Sequence, residues 1–121
     1  MRYVCALATA ALTAGANTAD AAQRGFAAVE NRAAFVQIIS GRDLRRLGIN
    51  VSVTPQGQIS GRAFGYPVSG TWQWQGSYFC RDLHWGADHL GSNCQTVRIS
   101  GDTIRFTADR GTGQSADLTL R

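Results

Sequence analysis

The feature that most constrains the fold is an alternation of apolar and polar residues that begins near Ile49 and continues nearly to the C-terminus. Val51 and Val53 continue this alternation, and Trp72 and Trp74 alternate with glutamines. Such a period of two is typical of strands that bury one face. Short turns separate these strands, and connections of that length join antiparallel neighbours. We therefore predict a mainly β domain, an antiparallel meander of six or seven strands that forms a curled sheet or partial barrel with the tryptophans on its inner face.

One segment before the strands has a helical pattern instead. Phe35, Ile38 and Ile39 share one face at the i, i+3, i+4 spacing. Asn31 is a favourable N-cap, and Gly41 stands where a glycine commonly ends a helix. We predict one short N-terminal helix that packs against the sheet, which makes the fold α+β.

The first 21 residues have the composition of a secretory signal peptide. Arg2 precedes an alanine-rich apolar run over residues 4–16, and Ala19-Asp20-Ala21 fits a cleavage site. The run is shorter than the about 20 apolar residues that cross a bilayer. We expect residues 1–21 to be a signal peptide and residues 22–121 to be one mature domain, periplasmic or secreted. An amphipathic helix of a cytosolic protein is the alternative.

Cysteine usage is consistent with export. The chain has three cysteines, and Cys5 lies in the predicted signal peptide, which leaves Cys80 and Cys94. An even count in an oxidising compartment predicts a disulfide. Closing a loop of about 15 residues contributes about 3 kcal/mol in the chain-entropy model. Two thiols on a metal, or two unrelated buried thiols, are the alternatives.

Charge and composition set only broad limits on function. The chain has 121 residues, of which 44% are hydrophobic and 17% charged, as expected for a single globular domain. The net charge is +4, and every basic residue is an arginine. This charge is compatible with an anionic partner. Arg42, Arg45 and Arg46 form a basic cluster, but export argues against nucleic acid as the partner.

The segment between the two cysteines is the part least like a plain strand. We predict an irregular loop, tied by the disulfide, that contains both histidines and binds a partner. The candidate binding residues are Arg81, Asp82, His84, Trp85, Asp88 and His89.

Two kinds of chemistry are compatible with these side chains, although neither motif is complete. The histidines, with Asp82 and Asp88, offer donors for a transition metal, but their spacing matches no established motif. Asp82 would orient His84 as a general base, but no serine lies in a nucleophile elbow.

A third motif lies near the C-terminus, where residues 111–116 match the pattern G-x-G-x-x-A. The residues that follow leave no room for the helix that a dinucleotide site requires. The sequence therefore predicts no catalytic residue, no metal and no cofactor.

Four short runs carry a resemblance to other proteins: GRAFG at 61–65, GTWQW at 70–74, YFCRDL at 78–83 and NCQ at 93–95. In these runs the chain resembles a group of small exported alphaproteobacterial proteins of unknown function, from about Phe35 to the C-terminus. Some are named dihydrodipicolinate reductase, an activity that this sequence does not support because it lacks a nucleotide-binding unit. The resemblance implies the same fold and export, and no mechanism.

We therefore expect a non-enzymatic periplasmic or secreted binding or accessory module, with a protein or small molecule as its partner. One alternative is a small hydrolase-like enzyme that uses Asp82 and His84. Another is a structural envelope protein that assembles through an uncovered edge strand.

Overall fold

A computed structural model describes residues 24–121. The predicted signal peptide and its cleavage site lie outside these residues. Within the described part, no helix is long and apolar enough to cross a membrane.

The described residues form nine strands and two short helical segments. The strands are β1 (Ala27–Ala28), β2 (Asp43–Arg46), β3 (Ile49–Val53), β4 (Gln58–Ala63), β5 (Tyr66–Gln75), β6 (Tyr78–Trp85), β7 (Asp88–Ser100), β8 (Thr103–Thr107) and β9 (Ser115–Leu120). The helical segments are α1 (Arg32–Ile39) and the single turn α2 (Ala108–Gly111), in which Asp109 and Arg110 both have a left-handed φ of 55°. The mainly β class is confirmed. The predicted count of six or seven strands is too low. The sequence pattern missed β1 because it is very short, and β2 because it contains a single apolar residue, Leu44, among charged neighbours.

Strands β2 to β9 form a closed antiparallel barrel of eight strands. Each strand pairs with the next along the chain, and β2 also pairs with β9 through Leu44–Leu120 and Arg45–Thr119. β1 adds a two-residue pairing to β7. The predicted partial barrel is therefore a complete one. Each barrel strand has a neighbour on both sides, which removes the free edge on which assembly through an edge strand would depend.

Two glycines inside strands allow close approach of the backbones. A Cβ at Gly61, where φ is +150°, would collide with the carbonyl of Asn50, and one at Gly70 would collide with the carbonyl of Asp82. Glycine within a strand is typical of tight bends in barrels. At both positions, neighbouring strands lie closer than a side chain would permit.

Helix α1 begins and ends at the predicted residues. The Asn31 side chain accepts a hydrogen bond of 2.9 Å from the backbone N–H of Ala34, and Gly41 follows the helix with φ of +70°. Phe35 and Ile39 are fully buried. Helix α1 follows β1, which pairs near the end of β7, and it precedes the start of β2. It therefore covers one end of the barrel, which we call the plugged end.

Phe35 is the centre of an aromatic cluster inside the plugged end. Its ring centroid lies 5.1 Å from those of Trp72 and Phe79, 5.3 Å from that of Trp74 and 6.4 Å from that of Phe106. Edge-to-face and tilted contacts at these distances are favourable aromatic pairs. Trp72 and Trp74 therefore belong to the core, as predicted.

The disulfide between Cys80 and Cys94 is confirmed, and it joins directly opposed residues of β6 and β7. The predicted irregular loop is wrong, since the bridged segment is a hairpin that turns at residues 86–87. Its polar side chains alternate with Leu83 and Trp85, and a polar outer face is normal for a strand with one buried side. A disulfide of this kind points to an oxidising, extracytoplasmic environment.

Candidate functional site

The six candidate binding residues do not form one site, because β6 directs its four candidates alternately to the two faces of the barrel wall and the other two lie on β7. Arg81 borders an interior cavity together with Leu83, and Trp85 lines the cavity at the barrel end opposite α1. Asp82 and His84 have the opposite parity and lie on the outer face. The wall of the barrel therefore separates two groups of candidates.

The outer group consists of Asp82, His84 and His89, which we call the outer cluster. The His89 Nε2 and Asp82 Oδ1 atoms lie 2.6 Å apart in a hydrogen bond. The imidazoles of His84 and His89 are stacked, with ring centroids 4.3 Å apart and an angle of 12° between the planes. Asp82 thus contacts His89 through this hydrogen bond, whereas the sequence suggested that it would orient His84.

A β-bulge in β7 creates the outer cluster. Leu83 pairs with Gly91, but His84 pairs with His89, so that Leu90 is an extra residue in β7. Gly91 has φ of +83°, which glycine adopts without strain. Strict alternation along β7, counted from Cys94, would make His89 face inward. The bulge reverses the direction of the His89 side chain, as bulges do.

The sixth candidate, Asp88, lies apart from both groups. It is exposed next to the hairpin turn and borders a hollow together with Tyr66 and Trp85.

A polar depression of about 320 Å³ also lies on the outer wall around the disulfide, and Asp82 contributes to its lining.

The barrel end opposite α1 is open and apolar. It contains the turns at residues 47–48, 64–65 and 86–87, and a cavity of about 290 Å³ lies inside it. The cavity is lined by nine apolar residues: Ile49, Val51, Ile59, Ala63, Phe64, Val68, Leu83, Trp85 and Leu90. We call this region the open end.

The rim of the open end exposes large apolar side chains to solvent. Leu47 is 94% exposed, Phe64 64%, Tyr66 60% and Leu90 52%. Sequence reasoning missed this rim. One signal was present, since Leu47 and Phe64 each precede a glycine in a tight turn, where polar residues are usual.

A second cavity, of about 190 Å³, lies deeper in the barrel and shares Val51, Ile59 and Leu83 with the open-end cavity. Arg81 and Gln95 supply its polar lining groups. The guanidinium of Arg81 donates a 2.8 Å hydrogen bond from Nη1 to the carbonyl of Gly91.

Burial lowers the pKa of Arg81, and the nearby carboxylate of Asp82 offsets this only in part. A guanidinium has five N–H donors, and the bond to Gly91 uses one of them. Within the described residues, no buried side-chain polar atom lacks a partner. The remaining donors of Arg81 therefore reach solvent-accessible space, and the residue borders both the deeper cavity and the polar depression around the disulfide.

Comparisons with known proteins give no further guide to this site: no family model, no curated protein and no solved structure matches the chain.

Proposed function

We propose that this protein is a small periplasmic or secreted binding module that takes the apolar part of a small molecule into the open end of its barrel. The observation that carries the proposal is the open-end cavity, whose lining side chains are all apolar. A barrel of eight strands is just wide enough to be filled by its own side chains or to hold one small ligand. In this barrel the aromatic cluster fills the plugged end, and the open end keeps room for a ligand.

The size and rim of the open end support the same function. Its volume of about 290 Å³, with the deeper cavity continuing from it, is at the low end of the roughly 300–1,000 Å³ typical of small-molecule sites. Exposed apolar side chains that cluster on a small protein commonly mark an interaction surface. A small molecule that enters the cavity would cover the inner side of this rim.

Arg81 indicates what the polar end of the ligand is. A carboxylate or similar anion would accept charge-assisted hydrogen bonds from its available donors, and such bonds are stronger than neutral ones. Exposed Arg46 and Arg62 lie near the rim and add positive charge where an anionic ligand would approach. The ligand class is therefore an amphiphile with an acyl-like chain and an anionic group.

A fluorescent acyl probe tests the proposal. A dansyl-labelled undecanoic acid should bind the purified protein with increased, blue-shifted emission, and dodecanoate should displace it. Val68→Trp and Ala63→Leu fill the cavity from different strands, and each should weaken probe binding at least tenfold. Circular dichroism spectra and gel filtration identify any variant that fails to fold.

Arg81→Gln tests the polar end separately. This variant should weaken binding of the acid about tenfold, the equivalent of one charge-assisted hydrogen bond, and leave binding of the probe's methyl ester unchanged. Arg45→Gln, which removes an exposed charge from β2, is the matched control and should change neither. The proposal is wrong if the folded wild-type protein does not bind the probe, or if both cavity-filling variants bind it normally. A concentration-dependent dimer without probe binding would assign the rim to a second copy instead.

A further inference from the structure

We infer that the outer cluster of Asp82, His84 and His89 binds a divalent transition-metal ion, at a site separate from the barrel interior. Each residue offers one donor atom, and the three donor atoms lie within 4.8 Å of one another. The three side chains come from both strands of the β6–β7 hairpin and point to the same outer face.

The donor set determines the class of ion. Two imidazoles and one carboxylate suit zinc, copper or nickel, whereas magnesium and calcium prefer oxygen ligands alone. Zinc binds imidazole nitrogen at about 2.0–2.1 Å, so two ligands of one ion lie roughly 3.3 Å apart. These side chains are exposed or half-buried and already within 4.8 Å, so rotation about their side-chain torsions brings the donors to that separation. Ion binding would open the stack of the two imidazoles and replace the Asp82–His89 hydrogen bond.

The backbone at the cluster is held in place more firmly than an ordinary surface loop. Asp82 and His84 follow Cys80 along the outer face of β6, and the disulfide ties this strand to β7. The bulge at Leu90 brings His89 opposite His84. Sites built on strands position their ligands more accurately than sites on loops, and here one irregularity in an otherwise regular hairpin completes the donor set.

Three protein donors leave a coordination position for water or an external ligand, the number found in zinc sites that are not purely structural. The polar depression that Asp82 borders lies on the same outer face. A bound ion would therefore remain accessible from solvent.

Calorimetry on untagged protein, stripped with a chelator, tests this inference. Titration with Zn²⁺ or Cu²⁺ should show one ion per chain with micromolar affinity. His84→Ala and His89→Ala should each weaken binding at least tenfold, because each removes one of three ligands. Asp88→Asn is the matched control, since this exposed carboxylate precedes His89 in the chain but is not one of the three donors.

Proton NMR gives a readout that is independent of affinity. The chain has two histidines, so two sets of imidazole resonances are expected, and substoichiometric Cu²⁺ should broaden both together. The cavity-filling variant Val68→Trp should bind the ion normally, which separates this site from the proposed ligand cavity.

The inference is overturned if wild-type protein binds Zn²⁺ and Cu²⁺ no more tightly than the His84→Ala/His89→Ala double variant. In that outcome the Asp82–His89 hydrogen bond and the stacked imidazoles only stabilise the hairpin. Equal weakening by Asp88→Asn would also contradict it, because the effect would then reflect general surface charge.

Discussion

The two ends of the barrel are built from the same strands, but large apolar side chains are buried at one end and exposed at the other. At the plugged end, Phe35 is completely buried among four aromatic rings. At the open end, Leu47 and Phe64 are 94% and 64% exposed. Burying a large apolar side chain contributes about 1.5–3 kcal/mol to folding. The plugged end therefore supplies folding free energy, whereas the exposed rim supplies little, which is why we assign a binding role to the rim.

Substitution at the centre of the plugged end should have the largest effect. Phe35→Ala leaves a cavity between α1 and the strands, and we expect the free energy of unfolding to fall by about 3–5 kcal/mol. Urea denaturation followed by tryptophan fluorescence measures this loss. A loss below about 1 kcal/mol would show that α1 does not close the barrel in solution.

Removal of the disulfide should have the next largest effect. Cys80→Ala/Cys94→Ala frees a loop of about 15 residues in the unfolded chain, and we expect a loss of about 3 kcal/mol. The bridge ties the hairpin that forms part of the open end, so amide hydrogen exchange should increase around residues 86–91 more than in α1. Equal acceleration in both regions would mean that the disulfide stabilises the whole barrel uniformly.

The helix cap offers a smaller change confined to the plugged end. Asn31→Ala removes the hydrogen bond to the N–H of Ala34 and should cost about 1 kcal/mol. Asn31→Ser, which retains a capping oxygen, is the control. If binding of the acyl probe changed in Asn31→Ala, the two ends would be coupled rather than independent.

The Arg105–Asp117 ion pair, on the neighbouring strands β8 and β9, should have a still smaller, pH-dependent effect on the free energy of unfolding. Hydrogen bonds of 2.6 Å and 2.9 Å from Arg105 lower the pKa of Asp117 in the folded protein. The carboxylate thus stabilises the fold above its unfolded pKa of about 3.9, and this contribution is lost as the pH falls through the lower folded pKa.

The magnitude is limited because the Asp117 side chain is 42% exposed, and solvent screening keeps the contribution below about 1 kcal/mol. Wild type should be more stable than Asp117→Asn near neutral pH, and denaturation curves at several pH values should show the difference shrinking as the pH falls below the unfolded pKa and disappearing below the folded one. A difference that persisted in acid would contradict this assignment.

The smallest effect on stability is expected at the open rim. Leu47→Ser changes a side chain that is 94% exposed, and the free energy of unfolding should change by no more than about 0.5 kcal/mol. Thermal denaturation measures this. A loss comparable to that of Phe35→Ala would mean that Leu47 is covered in solution, and the contrast between the ends would fail.

Much of the fold was predictable because local rules govern it. The alternation, the short turns and the Asn31 cap indicated antiparallel strands and one helix, and the structure has both. Closure was not predictable, because the β2–β9 pairing joins residues far apart in the chain and β2 lacks an apolar pattern. The signal peptide remains a prediction.

The candidate site was predictable only in part. The sequence identified Asp82, His84 and His89 as unusual, but strict alternation would place His89 inside the barrel. Leu90 and Gly91 form the bulge that moves His89 outward, and no local pattern marks that register shift. Parity on β6 did imply that Arg81 faces inward, but a cavity beside it depends on how the whole wall curves.

Local sequence patterns were enough to predict the strand class, the helix with its cap, and the disulfide between Cys80 and Cys94, because each prediction depends on residues close together or on a count of two cysteines. Barrel closure, the position of the plugged end, and the sharing of one face by distant side chains follow only from the three-dimensional fold. These depend on long-range pairing and on one bulge, whose free energies come from the packed barrel as a whole.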